Sequence, residues 1–274
     1  MTLRRAARLL LDARERGAST VLALVLEGPA EGERRLLVRE PDGTLHSPTR
    51  LSVAHLDRAV DLVQRDAMEA RPHAPSGVRV VEHSGGPTRI YLEHHRPPPG
   101  LLIVGAGHIA EPLHLQGALL GFDVTVVDDR PDFVDGERFP HARRVVQVDF
   151  SDPFATLPPP TRSHVVLVTR GHKYDYECLR RLLRLDLPPE YIGMIGSRRR
   201  VRATFHQLLE EGIPTEALAR IHAPVGLDIG AETPSEIAVA VAAEWVRLRR
   251  GGSGRSLVEV ERIAERFFPE EALP

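Results

Sequence analysis

The chain has 274 residues, a net charge of −2 and an isoelectric point of about 6.7, so no global field draws it to nucleic acid or an anionic membrane. A single cysteine excludes an internal disulfide and any multi-cysteine metal centre. No apolar run reaches the ~18 residues of a membrane span and no signal-peptide pattern opens the chain, so a cytoplasmic protein is expected.

Helical spacing over residues 3–16 stops at Gly17, a natural residue to follow a helix. Strands are expected at Thr20–Leu26 and Arg34–Arg39, around a loop with Gly28, Pro29 and Gly32, and Pro41-Asp42-Gly43 closes a turn. Val53, Leu56, Val60 and Val63 fall on one helical face. Val78–Glu82 and Arg89–Glu93 flank Ser84-Gly85-Gly86 as a hairpin. These elements predict a small α+β domain over residues 1–95. Arg96-Pro97-Pro98-Pro99-Gly100 reads as a stiff linker, because consecutive prolines continue neither a helix nor a central strand.

From Leu101 to Arg250 apolar strands alternate with helices, the pattern of a Rossmann-like parallel sheet, so the expected class is α/β. The strands are placed at Leu101–Val104, Asp123–Val127, Arg144–Val148, His164–Val168 and Tyr191–Ile195. Thr233-Pro234-Ser235-Glu236 combines an N-cap, a first-turn proline and a capping-box glutamate; its helix runs to about Arg250. Residues 251–274 read as a tail helix.

The most informative segment is Leu101–Ala110 (LLIVGAGHIA), followed by an apolar run ending on Asp128. Gly105 permits a tight turn and Gly107 lets the backbone approach a phosphate with no Cβ in the way. The helix that follows offers free N–H groups and the positive end of its dipole. Ala110 is small enough for close helix–strand packing. Asp128, about 20 residues on, stands where a dinucleotide site places its ribose acid. That favours NAD over NADP, although Arg130 would suit a 2′-phosphate.

In open α/β sheets ligands bind beyond the carboxyl ends of the strands. Gly105, Ala106, Gly107, His108 and Ile109 lie past the first strand, and Asp128 and Arg130 past the second. Thr169, Gly171, His172 and Asp175 follow the fourth, and Gly196, Ser197 and Arg198 the fifth. His108 would donate to a phosphate or act as an acid/base, or is a solvent-exposed filler. His172 and Asp175, three apart, would share a helix face as an acid/base pair, unless Asp175 only complements the helix dipole. No metal site is assigned. Lys173 is the only lysine in an arginine-rich chain, so the arginine count itself says little about ligands. Arg199, Arg200 and Arg202 are expected on a solvated face, and Cys178 in the core.

The motifs LLIVGAGHIA (101–110), VTVVDDRPDF (124–133), ERFPHA (137–142), TRGHKYD (169–175), YIGMIGSRRR (191–200) and PVGLDIGAETPSEIAVAVAAE (224–244), in this order, resemble the XdhC family, the xanthine dehydrogenase accessory proteins that include CoxI-type factors. The resemblance implies a factor that binds molybdenum cofactor, a pterin bearing a phosphate, and assists its maturation and insertion into a xanthine or carbon monoxide dehydrogenase type hydroxylase. It implies the apo-hydroxylase, and a cysteine desulfurase, as partners, and a homodimer as the assembly. It also implies ligand contacts at Gly105–Gly107, Asp128, His172 and Gly196–Arg198. The N-terminal domain departs from the family. Glu27–Gly32 and Gly43–Pro48 stand where members carry Gly-Ser-x-x-Arg and Gly-Gly-Cys-x-Glu segments, and neither loop has a cysteine. Two other readings of the same residues remain: an NAD(P)-dependent oxidoreductase, with His108 or His172 supplying the proton, and a dinucleotide-responsive binding protein without catalysis.

Overall fold

The structure is a computed structural model that describes residues 2–70, 76–155, 157, 163–185 and 188–262. The chain divides into two compact units, Met1–Pro98 and Pro99–Pro274.

In the first unit, strands β1 (Ser19–Val25), β2 (Arg34–Arg39), β3 (Leu45–His46), β4 (Gly77–Val81) and β5 (Thr88–His95) form one antiparallel sheet in the order β3-β2-β1-β5-β4. Alternation along the strands sends the two sets of side chains to opposite faces. Val21, Ala23, Leu37, Ile90 and Leu92 pack against helix α2 (Ala54–Glu69) through Leu56, Val60 and Met68. Leu22, Leu36 and Val38 pack under helix α1 (Leu3–Glu15). One charge enters the α2 side: buried Arg35 pairs with Asp57 at 3.0 Å and also bonds Asp61 and Gln64. Gln64 in turn donates to the carbonyls of Val21 and Arg35, so the network has partners throughout.

The second unit is a six-stranded parallel sheet. Its strands are β6 (Gly100–Val104), β7 (Asp123–Asp128), β8 (Arg144–Gln147), β9 (His164–Leu167), β10 (Tyr191–Met194) and β11 (Ile221–His222), in the order β11-β10-β9-β6-β7-β8. The α/β class expected from the sequence is the class observed. The apolar runs are continuous because both faces are covered. Leu101, Ile103, Val124, Val126 and Val166 meet helices α3 (Ala110–Leu119) and α7 (Pro234–Arg250) through Ala110, Leu113, Val241 and Trp245. Leu102, Val104, Val165, Leu167, Ile192 and Met194 meet α4 (His172–Leu182) and α5 (Arg198–Glu210) through Leu179, Leu182, Val201 and Leu208. Cys178 is wholly buried in that second core, as expected, and burial pushes its thiol pKa up. A one-turn helix α6 (Thr215–Leu218) leads into β11.

The capping box at Thr233 and Glu236 forms as read from the sequence, and Gly251, at φ 72°, ends α7. The tail reading is only partly visible: α8 spans Leu257–Glu261, and residues 263–274 lie outside the described residues. The two-residue strands β3 and β11 escape a reading based on periodicity, because two residues cannot show an alternation.

His164 opens β9 among aromatic rings: Phe122 edge-on at 4.9 Å, Tyr191 stacked at 5.1 Å and Trp245 at 6.4 Å. Burial, with repulsion from Arg249 and His222, lowers its pKa to about 4. The unfolded chain, with an ordinary histidine, therefore binds the extra proton between about pH 6.5 and 4. This contribution to stability is fully present above pH 6.5 and is lost as pH falls through the window, by up to about 3 kcal/mol. His114 and His94, also lowered by burial, act in the same sense. In urea titrations His164→Phe is expected to flatten the loss of stability between about pH 6.5 and 4. An unaltered slope would contradict the assignment.

Candidate functional site

Strand order reverses at β6, whose neighbours β7 and β9 are reached by crossovers on opposite sides. A crevice must open where the chain leaves β6 and β9 in opposite directions. Gly105 occupies that point. Its N–H donates to the Val127 carbonyl at 2.7 Å and its φ is 110°. A Cβ there would lie 2.6 Å from the Val168 carbonyl oxygen. Gly105 is thus required twice, by its left-handed backbone and by the close passage of the chain leaving β9.

Gly107 differs. A Cβ added there meets nothing within 4 Å, so the space above it is open. The chain turns once, with Ala110 N–H donating to the Gly107 carbonyl at 2.9 Å, before α3 proper begins. The N–H groups of Gly107, His108 and Ile109 have no acceptor among the described residues. These are the first-turn donors to which an anion binds. His108 is exposed on this turn, and Ile109 is half-buried.

Asp128 ends β7 and is 1% exposed. Its carboxylate accepts from Ala106 N–H at 2.7 Å, from Arg130 N–H at 3.0 Å, and from Arg130 Nε and Nη2 at 2.9 and 3.0 Å. Burial alone would raise its pKa, but the Arg130 side chain and the two backbone donors hold it down to about 2. The role read from the sequence, a ribose acceptor, meets a different situation: the oxygens are already shared between the glycine turn and Arg130. The guanidinium of Arg130 lies flat on Phe133, 3.4 Å from the ring centre.

Across the crevice, Arg170 pairs end-on with Asp129 (2.5 and 2.7 Å) and donates to the Tyr174 hydroxyl at 2.7 Å. Arg138 donates to the Ala106 carbonyl at 3.1 Å and pairs with Glu111 on α3. Neither arginine stands out in the sequence, because arginine is the chain's default cation. What marks them is position, one residue beyond Thr169 and inside the ERFPHA motif.

The expected pairing of His172 with Asp175 is not what the structure shows. Asp175 is fully buried and accepts from the Thr169 hydroxyl at 2.7 Å and from Arg200 Nε at 2.6 Å, with Arg200 Nη2 also in contact. Burial raises its pKa, against the pull of Thr169 and Arg200. His172 is exposed at the first position of α4, after the Gly171 cap. Asp175 therefore anchors the loop after β9 and is not placed for acid/base work with His172. Arg200, expected on a solvated face, turns inward and also donates to the Thr169 carbonyl at 2.9 Å. Gly196 makes room for it, since a Cβ there would come 3.2 Å from Arg200 Cδ. The Ser197 hydroxyl caps α5 by accepting from Arg200 N–H at 3.3 Å, and Arg198 is exposed. His172→Ala should leave stability within about 0.5 kcal/mol of the parent in a thermal melt, as for other exposed polar sites. A larger loss would mean that the imidazole holds the fold.

A further buried carboxylate, Glu244 of α7, accepts from Tyr191 Oη at 2.7 Å, His222 Nδ1 at 3.1 Å and Gly226 N–H at 3.1 Å. The sequence does not reveal it, because a lone glutamate in an apolar helix carries no local signal. It ties the segment after β11 to α7. Just beyond lies a hollow of about 320 Å³, lined by Ile229, Gly230, Ala231, Ser235, Glu236 and Val239. Since α3 and α7 both follow parallel strands on one face, the hollow and the glycine turn open on the same edge of the sheet. Among the described residues, no three His, Cys, Asp or Glu side chains are grouped to hold a metal ion, and no helix is long and apolar enough to cross a membrane.

Residues 101–245 match the model of the XdhC Rossmann domain, over half of the chain. The chain belongs to the XdhC family. The match begins with the first strand of the parallel sheet and ends on α7, so the crevice lies wholly inside the XdhC domain. An uncharacterised Escherichia coli K12 protein, YqeB, is 34% identical over 171 residues, covering 62% of this chain and 31% of that protein. A Bacillus subtilis 168 protein described as a probable xanthine dehydrogenase component is 31% identical over 173 residues, covering 62% of this chain and 49% of that one. The chain thus spans less than half the length of these curated relatives. A crystal structure described as a xanthine dehydrogenase from Bacillus halodurans shares the fold, with a TM-score of 0.64 at 22% identity, over all of this chain and 72% of that one.

Proposed function

We propose that this XdhC-family chain is an accessory factor that binds molybdenum cofactor as cargo and delivers it to the apo form of a xanthine or carbon monoxide dehydrogenase type hydroxylase. The observation that carries the reading is the open turn at Gly107, with three unpaired N–H groups at the strand-order switch of an XdhC domain. The phosphate of the pterin suits that turn, and Arg130 and Arg170 supply positive charge at its rim. The chain's single thiol, Cys178, is buried and held protonated, so it is not placed to ligate the molybdenum as a thiolate. Retention then rests on the phosphate and the pterin. A cysteine desulfurase would act on cofactor held in this way, with the chain as carrier.

A second reading is a dinucleotide-dependent oxidoreductase or a dinucleotide-responsive binding protein. Its support is Asp128 at the end of β7, the place of a ribose acid, with His108 and His172 exposed on the same edge. The discriminating experiment incubates cofactor-loaded chain with apo-hydroxylase and follows hydroxylase activity. Activation in proportion to the loaded chain supports delivery. No activation, together with NADH or NADPH oxidation by the chain alone, would replace it with the second reading.

A further inference from the structure

The distribution of donors around Asp128 bears on which end of a ligand is read beyond β7. Asp128 has two oxygens, and four N–H groups already point at them: Ala106 N–H, Arg130 N–H, and Arg130 Nε and Nη2. A ribose hydroxyl has to donate to a carboxylate to be recognised there. With the carboxylate saturated and its side chain 1% exposed, a 2′-hydroxyl finds no acceptor unless Arg130 leaves. Leaving means separating an ion pair and lifting the guanidinium from Phe133, on which it lies at 3.4 Å.

Arg130 itself is 33% exposed. Its Nε and one Nη2 proton face Asp128, so Nη1 and the second Nη2 proton form a free edge, with no acceptor among the described residues. The Phe133 ring fixes the plane of that edge. From the other side of the crevice comes Arg170, 39% exposed, close enough that its charge opposes that of Arg130. Asp129 pairs with Arg170 and its charge also reaches Arg130, yet Arg130 and Arg170 each keep N–H groups that Asp128 and Asp129 do not take, and these offer a place for a dianion.

We propose that the space beyond β7 is a phosphomonoester subsite read by the free edge of Arg130 with Arg170, and that Arg130 excludes an unphosphorylated ribose from Asp128. The inference rests on the reading that the crevice binds a phosphorylated ligand, and specifies it. The dianion is either the single phosphate of a pterin, held at the Gly107 turn with these arginines at its rim, or the 2′-phosphate of a dinucleotide. The two sources share the chemistry and differ in what accompanies it.

The test is a fluorescence titration of the full chain with NADPH and NADH at fixed ionic strength. NADPH is expected to bind at least tenfold more tightly than NADH. Arg130→Gln removes the anion contact and frees Asp128, so the ratio should collapse to near one or invert. Thermal melting of the variant reports whether it folds, while the parent ratio needs no variant. Pterin as the source predicts that molybdenum cofactor displaces NADPH from the parent. Dinucleotide as the source predicts NADPH selectivity without such displacement. Equal affinities in the parent, no binding of either nucleotide, or an unchanged ratio in a folded Arg130→Gln would each overturn the subsite. Cofactor retention with no NADPH preference would sink this inference alone, and NADPH preference without cofactor retention would sink only the delivery reading.

Discussion

Gly107→Val is expected to weaken binding of a phosphorylated ligand by roughly a hundredfold or more, because several charge-assisted hydrogen bonds of about 1.5–3 kcal/mol are blocked together. The same substitution should leave the protein folded. The position has no left-handed φ, and a Cβ there meets nothing within 4 Å, so the side chain enters only the ligand's space. Equilibrium binding and a thermal melt on one sample separate the two effects. Gly105→Ala provides the contrast. There φ is 110° and the Cβ would lie 2.6 Å from a backbone oxygen, so binding and fold should fail together. Normal binding by Gly107→Val would remove the turn from the site.

Arg200→Leu is expected to destabilise the second unit by about 3–5 kcal/mol, the usual cost of breaking a buried pair from one side. Asp175, fully buried, would keep only the Thr169 hydroxyl. The pH dependence carries the signature. Without Arg200 the folded-state pKa of Asp175 rises far above its unfolded value, so the carboxyl is neutral at low pH and strained when forced to ionise. The deficit relative to the parent should grow as pH rises from about 5 to 8 in urea titrations. A deficit independent of pH would mean that Arg200 acts by packing alone. Arg200 also holds the Thr169 carbonyl, so the loop facing the glycine turn should loosen in this variant and take ligand affinity with it.

The parts of this molecule that are legible in the sequence are those with a period or a punctuating residue. Five apolar runs correspond to five parallel strands, and Gly105, the residue that the turn and the close passage both require, marks the switch point. The capping box at Thr233 is legible for the same reason: its chemistry is local. What the sequence hides is the choice of partner among charged side chains. Asp128 stands out, but its capture by Arg130 two residues on depends on how the chain bends after β7. Asp175 and His172 stand three apart, yet Thr169 and Arg200 take the carboxylate because a buried acid needs a cation more than it needs an exposed imidazole. Arg200 turns inward against expectation for a related reason. In a chain with one lysine, arginine identity carries no information, and only the missing Cβ of Gly196 hints that its stem folds back.

Carriage of molybdenum cofactor is tested most directly by its retention on the purified full chain through gel filtration, with molybdenum and pterin measured in the protein peak and NADH and NADPH run as parallel ligands. Near-stoichiometric molybdenum and pterin, lost in Gly107→Val, is the result predicted, and it would show that a carrier of this family works without a surface thiol. A peak that holds NAD(H) or NADP(H) but neither molybdenum nor pterin would contradict delivery and leave a dinucleotide protein built on an XdhC fold.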